Sequence, residues 1–169
     1  MPKTPQAFAV WITGLPASGK STLAAAVKAH LAARGVDVVV LESDALRKVF
    51  TPDPRYDEKE RDAFYRQMVY VGALLASHGV PVIFDATANR RAYREMARQQ
   101  IPRFLEVYVD SRLETCVARD PKGIYRSALH GGANTVPRDS SRIRSSRTGR
   151  SHCSWRSREP RRCGRAIDP

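Results

Sequence analysis

An apolar run, AFAVWIT (7–13), passes into a run of helical period through the stretch GLPASGKST (14–22). That junction constrains the fold more than any other part of the chain. The spacing Gly14-x-x-x-x-Gly19-Lys20-Ser21, set between a strand and a helix, is the pattern of a phosphate-binding loop. The glycines let the backbone curl, so that successive N–H groups point into one small volume. The helix that follows directs its positive end at the same place. A polyphosphate suits that volume. Lys20 can reach the β- and γ-phosphates of a nucleotide, and the Ser21 hydroxyl can ligate the accompanying Mg²⁺. Gly14, Leu15, Pro16, Ala17, Ser18, Gly19, Lys20, Ser21 and Thr22 are therefore read as an ATP·Mg²⁺ site, with Lys20 also acting in the chemistry.

Further along, apolar runs bounded by turn residues alternate with helical periods. STLAAAVKAHLAARG is a helix stopped by Gly35, VDVVVLES a second strand, and Asp44–Phe50 a short helix closed by TPDPRYD. Residues 58–78 are helical, with Phe64, Met68, Val71 and Leu75 spaced for one face, and Gly79 ends them. VPVIFDA is a third strand, RRAYREMARQQ a helix and FLEVYVD a fourth strand. Ser111 with Glu114 has the pattern of a capping box opening SRLETCVARD. Such an order predicts an α/β fold of the P-loop NTPase type, a mainly parallel sheet with helices on both faces. The domain is expected over 1–137, with a lid at about 120–137.

The net charge of +12 resembles that of a nucleic-acid binder, but its distribution argues otherwise. Residues 138–169 hold ten Arg and seven Ser against three acids, whereas residues 1–137 hold nineteen Lys/Arg against fourteen Asp/Glu. The body is only modestly basic and lacks an aromatic-basic stacking segment, so nucleic acid is not the expected partner. The Arg/Ser-rich tail shows no apolar period and reads as a disordered tail. Its composition is what an out-of-frame GC-rich gene yields, so a frameshift product is one reading and an arm for nucleic acid the alternative. No apolar run is long enough to span a bilayer, and AFAVWI is too short for a secretory signal. Cys116, Cys153 and Cys163 form no paired spacing, and the four His are scattered. A cytoplasmic setting without membrane partners follows as the expectation, and a homodimer is left open.

Ligands of such sheets sit beyond the carboxyl ends of the strands. After the second strand, ESDALR places Asp44 and Arg47 one helical turn apart, both able to face the γ-phosphate. There a carboxylate can accept the proton of an attacking hydroxyl and an arginine can hold an anionic acceptor. The alternative for Asp44 is a helix cap only. After the third strand, FDATANRR offers Asp85 for Mg²⁺ and Arg91 for acceptor or phosphate, or else a solvated polar turn. Arg61 and Arg66 read from spacing alone as solvated helix residues.

These residues together resemble the adenylylsulfate (APS) kinases over about residues 8–137. CVARDPKGIYRSA (116–128) is similar to the family's ARDPKGLYKKA signature, GLPASGKST to its P-loop, and SDALR to its Asp-x-x-Arg acceptor segment. ERDAFYRQ falls where the family has an Asp-Arg segment and an Arg pair, and ANRRAYREMAR where it has Ser-Pro-Phe-Arg and a helix. The resemblance implies that Asp44 lies near the ribose 3′-hydroxyl of APS and that Arg47, Arg61 and Arg66 bind its anionic groups. It also keeps Arg91, and it puts Arg119, Asp120 and Lys122 in a lid over nucleotide and acceptor. The implied reaction is ATP-dependent phosphorylation of APS.

Departures from the family pattern are specific. Ala88 stands at the family's serine, Phe64 at its Asn and Glu42-Ser43-Asp44 at its Asp-Gly-Asp, while GGANTVP replaces a Phe-Thr-Gly lid segment. Asp85-Ala-Thr also resembles P-loop kinases of sugars, nucleosides or polynucleotide ends, which leaves another hydroxyl acceptor as the alternative substrate.

Overall fold

The structure is a computed structural model that describes residues 7–55 and 57–129. The expected tail and residues 130–137 of the expected lid lie outside the described residues. Four strands, β1 (Ala9–Gly14), β2 (Val39–Glu42), β3 (Val82–Asp85) and β4 (Phe104–Val109), form one parallel sheet in the order β2-β3-β1-β4. The helices are α1 (Lys20–Ala32), α2 (Ser43–Phe50), α3 (Glu58–Ser77), α4 (Arg91–Gln100), α5 (Leu113–Arg119) and α6 (Ile124–Leu129).

Strand alternation sorts the core into two layers. On one face Ala9, Trp11, Leu41, Val82 and Phe84 pack against α3 and α4. On the other, Ile12, Val38 and Ile83 meet Ala24, Leu23 and Val27 of α1. Helices thus cover both faces, as a parallel sheet requires.

Two local expectations are corrected. The fully buried ridge of α3 is Phe64, Tyr65, Met68, Val69, Gly72 and Ala76, with Val71 and Leu75 at its margin. Gly72 shifts the ridge because it alone admits the Phe84 ring: a Cβ there would stand 2.1 Å from Phe84 Cζ. The Ser111–Glu114 capping box does not form. The helix starts at Leu113 with Arg112 at the N-cap and no side-chain cap bond. Ser111 is one residue too early to reach the helix amides.

In-register pairing sets the strand ends side by side. Asp85 lies opposite both Ile12 and Glu42, and Gly14 opposite Val109. Whatever follows those residues opens on a common edge.

Candidate active site

A cleft of about 1070 Å³ opens at that edge, lined by the phosphate loop, the ends of β2, β3 and β4, and the segment from α5 into α6. The loop's shape comes from three positions. Gly14 runs so close to β4 that a Cβ would stand 2.8 Å from Val109 O. Ala17 and Gly19 take positive φ values of 57° and 96°, the left-handed turns from which anion-binding backbone concavities are built. Gly19 caps α1 without a side-chain hydrogen bond, and the first turn carries no acid. The helix N-terminus is thereby left to an anion.

Lys20 lies back over its own loop, donating to Leu15 O at 2.8 Å and Gly14 O at 3.3 Å. Burial pushes its ammonium below the usual lysine range, against the raising effect of Asp85 and Asp44. Ser21 and Asp85 line the same cleft, and Asp85 is almost fully buried at the end of β3. These two hard oxygen donors beside a phosphate cradle suit a Mg²⁺ ion that keeps waters and takes its other ligands from phosphate.

Asp44, in the first turn of α2, reaches the cleft and accepts a hydrogen bond from Lys122 Nζ, seventy-eight residues further along the chain. This hydrogen bond, ahead of the general attraction of the carboxylate, holds Lys122 above the usual lysine range. Arg47 does not share that orientation. Its guanidinium lies 4.1 Å from the Phe64 ring centroid and 3.4 Å from Glu60 Oε1. The Phe64 face and the Glu60 charge both attract it towards α3. Arg61 and Arg66 stay on α3, the first half-buried and the second exposed, while Arg91 is exposed at the start of α4. None of these four arginines lines the cleft; Arg119, at the end of α5, does.

Sequence reasoning passed over several lining residues. Arg112 and Thr115 join Arg119 on the cleft wall, and their spacing of three and seven residues marks a common helix face. Tyr125 donates from its hydroxyl to Pro16 O at 3.0 Å and is buried with Leu15 and Cys116, fastening α6 to the phosphate loop. The aromatic Tyr125 within KGIYRS was the available signal. Burial, more than its neighbours Cys116 and Asp120, raises the Tyr125 hydroxyl above its ordinary range, so it stays a donor. The segment Ala86–Ala88 is fixed by buried side chains of other elements, which no local pattern announces.

The adenylylsulphate kinase family model matches residues 6–141, which include all of this cleft. The chain belongs to the adenylylsulphate kinase family. An adenylyl-sulfate kinase of Synechococcus sp. (strain JA-3-3Ab) is 42% identical over 122 residues, covering 72% of this chain and 69% of that protein. A probable adenylyl-sulfate kinase of Pyrococcus abyssi is 36% identical over 126 residues, covering 75% of this chain and 72% of that one. Among solved structures, the Mycobacterium tuberculosis APS kinase CysC in complex with AMPPNP and APS superposes with a TM-score of 0.70. It is 35% identical and covers 75% of this chain and 76% of its own. The adenylylsulphate kinase resemblance seen in GLPASGKST, SDALR and ARDPKGIY thus extends to the fold.

Proposed function

We propose that this chain transfers the γ-phosphoryl group of ATP to the 3′-hydroxyl of adenylyl sulfate, giving 3′-phosphoadenylyl sulfate and ADP. The observation that carries this reading is the meeting of Asp44 with Lys122 beside the phosphate loop. It joins the acceptor segment and the DPKG segment of the resemblance at one point, within reach of Lys20.

The hydroxyl oxygen forms a bond to the γ-phosphorus as the bond from that phosphorus to the β-bridging oxygen breaks, and Asp44 takes the hydroxyl proton. Lys20 leaves its own carbonyls for the β- and γ-phosphates and follows the charge onto the leaving group. Ser21 and Asp85 would hold a Mg²⁺ ion together with the phosphates, and such an ion would neutralise phosphate charge as it shifts. Arg119 serves the nucleotide, and Lys122 turns from Asp44 towards the substrates. Arg47, Arg61, Arg66 and Arg91, carried by the adjoining helices α2, α3 and α4 outside the cleft wall, are proposed to turn in and bind the acceptor's anionic groups when it enters, Arg47 leaving Glu60 to do so. Ala88 offers no hydroxyl to carry the phosphoryl group at that position, in keeping with direct transfer between the substrates.

ADP release measured against a panel of adenylyl sulfate, adenosine, gluconate and a polynucleotide 5′-end tests the assignment. Turnover should depend on adenylyl sulfate. Turnover with a sugar and none with adenylyl sulfate would replace the acceptor and leave the phosphate loop in place.

A further inference from the structure

The backbone that leaves β3 is tied down residue by residue. Trp11 Nε1 donates to Ala86 O at 3.2 Å, and Thr13 Oγ1 donates to Thr87 O at 2.5 Å. The Ala88 N–H donates to Tyr65 Oη at 3.0 Å, and Arg94 Nη1 donates to Ala88 O at 2.5 Å. Three successive residues are thus held from β1, α3 and α4 at once. Ala88 also carries a φ of 41°, a left-handed conformation that a residue with a Cβ rarely takes without being constrained.

Both outer anchors are themselves locked. Tyr65 stacks on Tyr93 with ring centroids 4.2 Å apart and meets Phe64 edge-on at 5.3 Å, which aims its hydroxyl. Arg94 is 0% exposed, and its Nε donates to Glu106 Oε1 on β4 at 2.8 Å. Packing alone does not call for a guanidinium there, since an apolar side chain of similar length fills such space with less desolvation. What the guanidinium adds is a grip on two carbonyls, Ala88 O and Arg90 O, the latter at 3.3 Å.

We propose that Tyr65 and Arg94 are positioning residues for phosphoryl transfer. Together they clamp the left-handed turn at Ala88, so that Asp85 and Thr87 are presented to the cleft at a fixed distance from Lys20. Asp85 and Thr87 flank Ala86 and both line the cleft, so slack in the turn displaces both together. The inference rests on the transfer reading above, but the clamp itself can be tested without it.

Two variants, Tyr65→Phe and Arg94→Lys, are compared with the full chain in two measurements. Amide hydrogen exchange reads the clamp directly: in the wild type the Ala86 and Ala88 amides, which donate to Ile12 O and Tyr65 Oη, exchange slowly, and each variant speeds them about tenfold or more while β1 and β3 keep their protection. Steady-state kinetics with ATP and adenylyl sulfate read its use: kcat falls about tenfold or more, while KM for ATP stays within about twofold. Tyr65→Phe removes one hydroxyl and keeps the ring, so it decides the matter if Arg94→Lys does not fold. A wild-type chain inactive on adenylyl sulfate removes the transfer reading, and the exchange rates then decide the clamp alone. Wild-type kcat in Tyr65→Phe, or a wild-type turn that exchanges like an open chain, overturns the proposal.

Discussion

Lys122 and Asp44 close a salt bridge across the mouth of the cleft, between the turn before α6 and the first turn of α2. Both side chains are more than half exposed. Each is also a group the proposed reaction needs free, so substrate binding has to part them.

An exposed ion pair is worth about 0–1 kcal/mol, so Lys122→Met should leave the unfolding midpoint nearly unchanged. Asp44→Asn should lower kcat by about 10²–10⁴ as a lost general base does, with ATP binding retained. Thermal unfolding checks the first, and calorimetric ATP titration beside steady-state assays checks the second. An Asp44→Asn variant that turns over at the wild-type rate would remove the base.

Lys20 gives a pH signature. The folded chain releases this proton at lower pH than the unfolded chain, because burial disfavours the ammonium. Stability therefore rises as pH climbs through the lowered folded value towards the ordinary 10.5. ATP affinity should run the other way and decline over the same window, since only the charged lysine serves the phosphates. In Lys20→Met the affinity should be low and flat with pH, and turnover should fall by several orders of magnitude. ATP titrations between neutral and alkaline pH test the contrast.

Gly72 makes a stability prediction. Alanine is intrinsically better in a helix by about 1 kcal/mol. A Cβ here would nevertheless drive into the Phe84 ring, which is stacked on Trp11 at 4.6 Å. Gly72→Ala should destabilise by about 1–3 kcal/mol, the range for an overpacked core. Urea unfolding measures it, and a stabilised variant would show that the ring has room to move.

We propose that residues 138–169 are an out-of-frame reading of the gene and that residues 1–137 are the kinase domain. The composition changes at Arg138, and the family match ends at residue 141. Sequencing the gene should find family-like codons in a shifted frame there. A stop codon or unrelated residues in that frame just after codon 138 would refute the idea.

Much of this architecture was readable because its determinants are local. Gly35, Gly79 and the prolines around residue 52 punctuate runs whose period declares strand or helix, and the phosphate loop is defined by a contiguous stretch. What escaped depends on partners distant in the chain. The α3 ridge is set by where Phe84 arrives, and Arg47 is drawn aside by Phe64 and Glu60. Arg94 reads as a surface residue of a polar helix until Glu106 and the Ala88 carbonyl bury it. Spacing pointed to Asp44 and the family resemblance to Lys122, but neither pointed to their meeting.

The position of β1 has a consequence for biosynthesis. Ala9 pairs with both Val82 and Phe104, and Gly14 packs against Val109. Of the four strands among the described residues, β1 is made first and acquires its two neighbours last. A nascent chain carries GLPASGKST well before β4 has emerged, and has no cradle until β4 has docked. Nucleotide can thus protect the finished fold by mass action, but it offers no template for the slow closure of these long-range pairings.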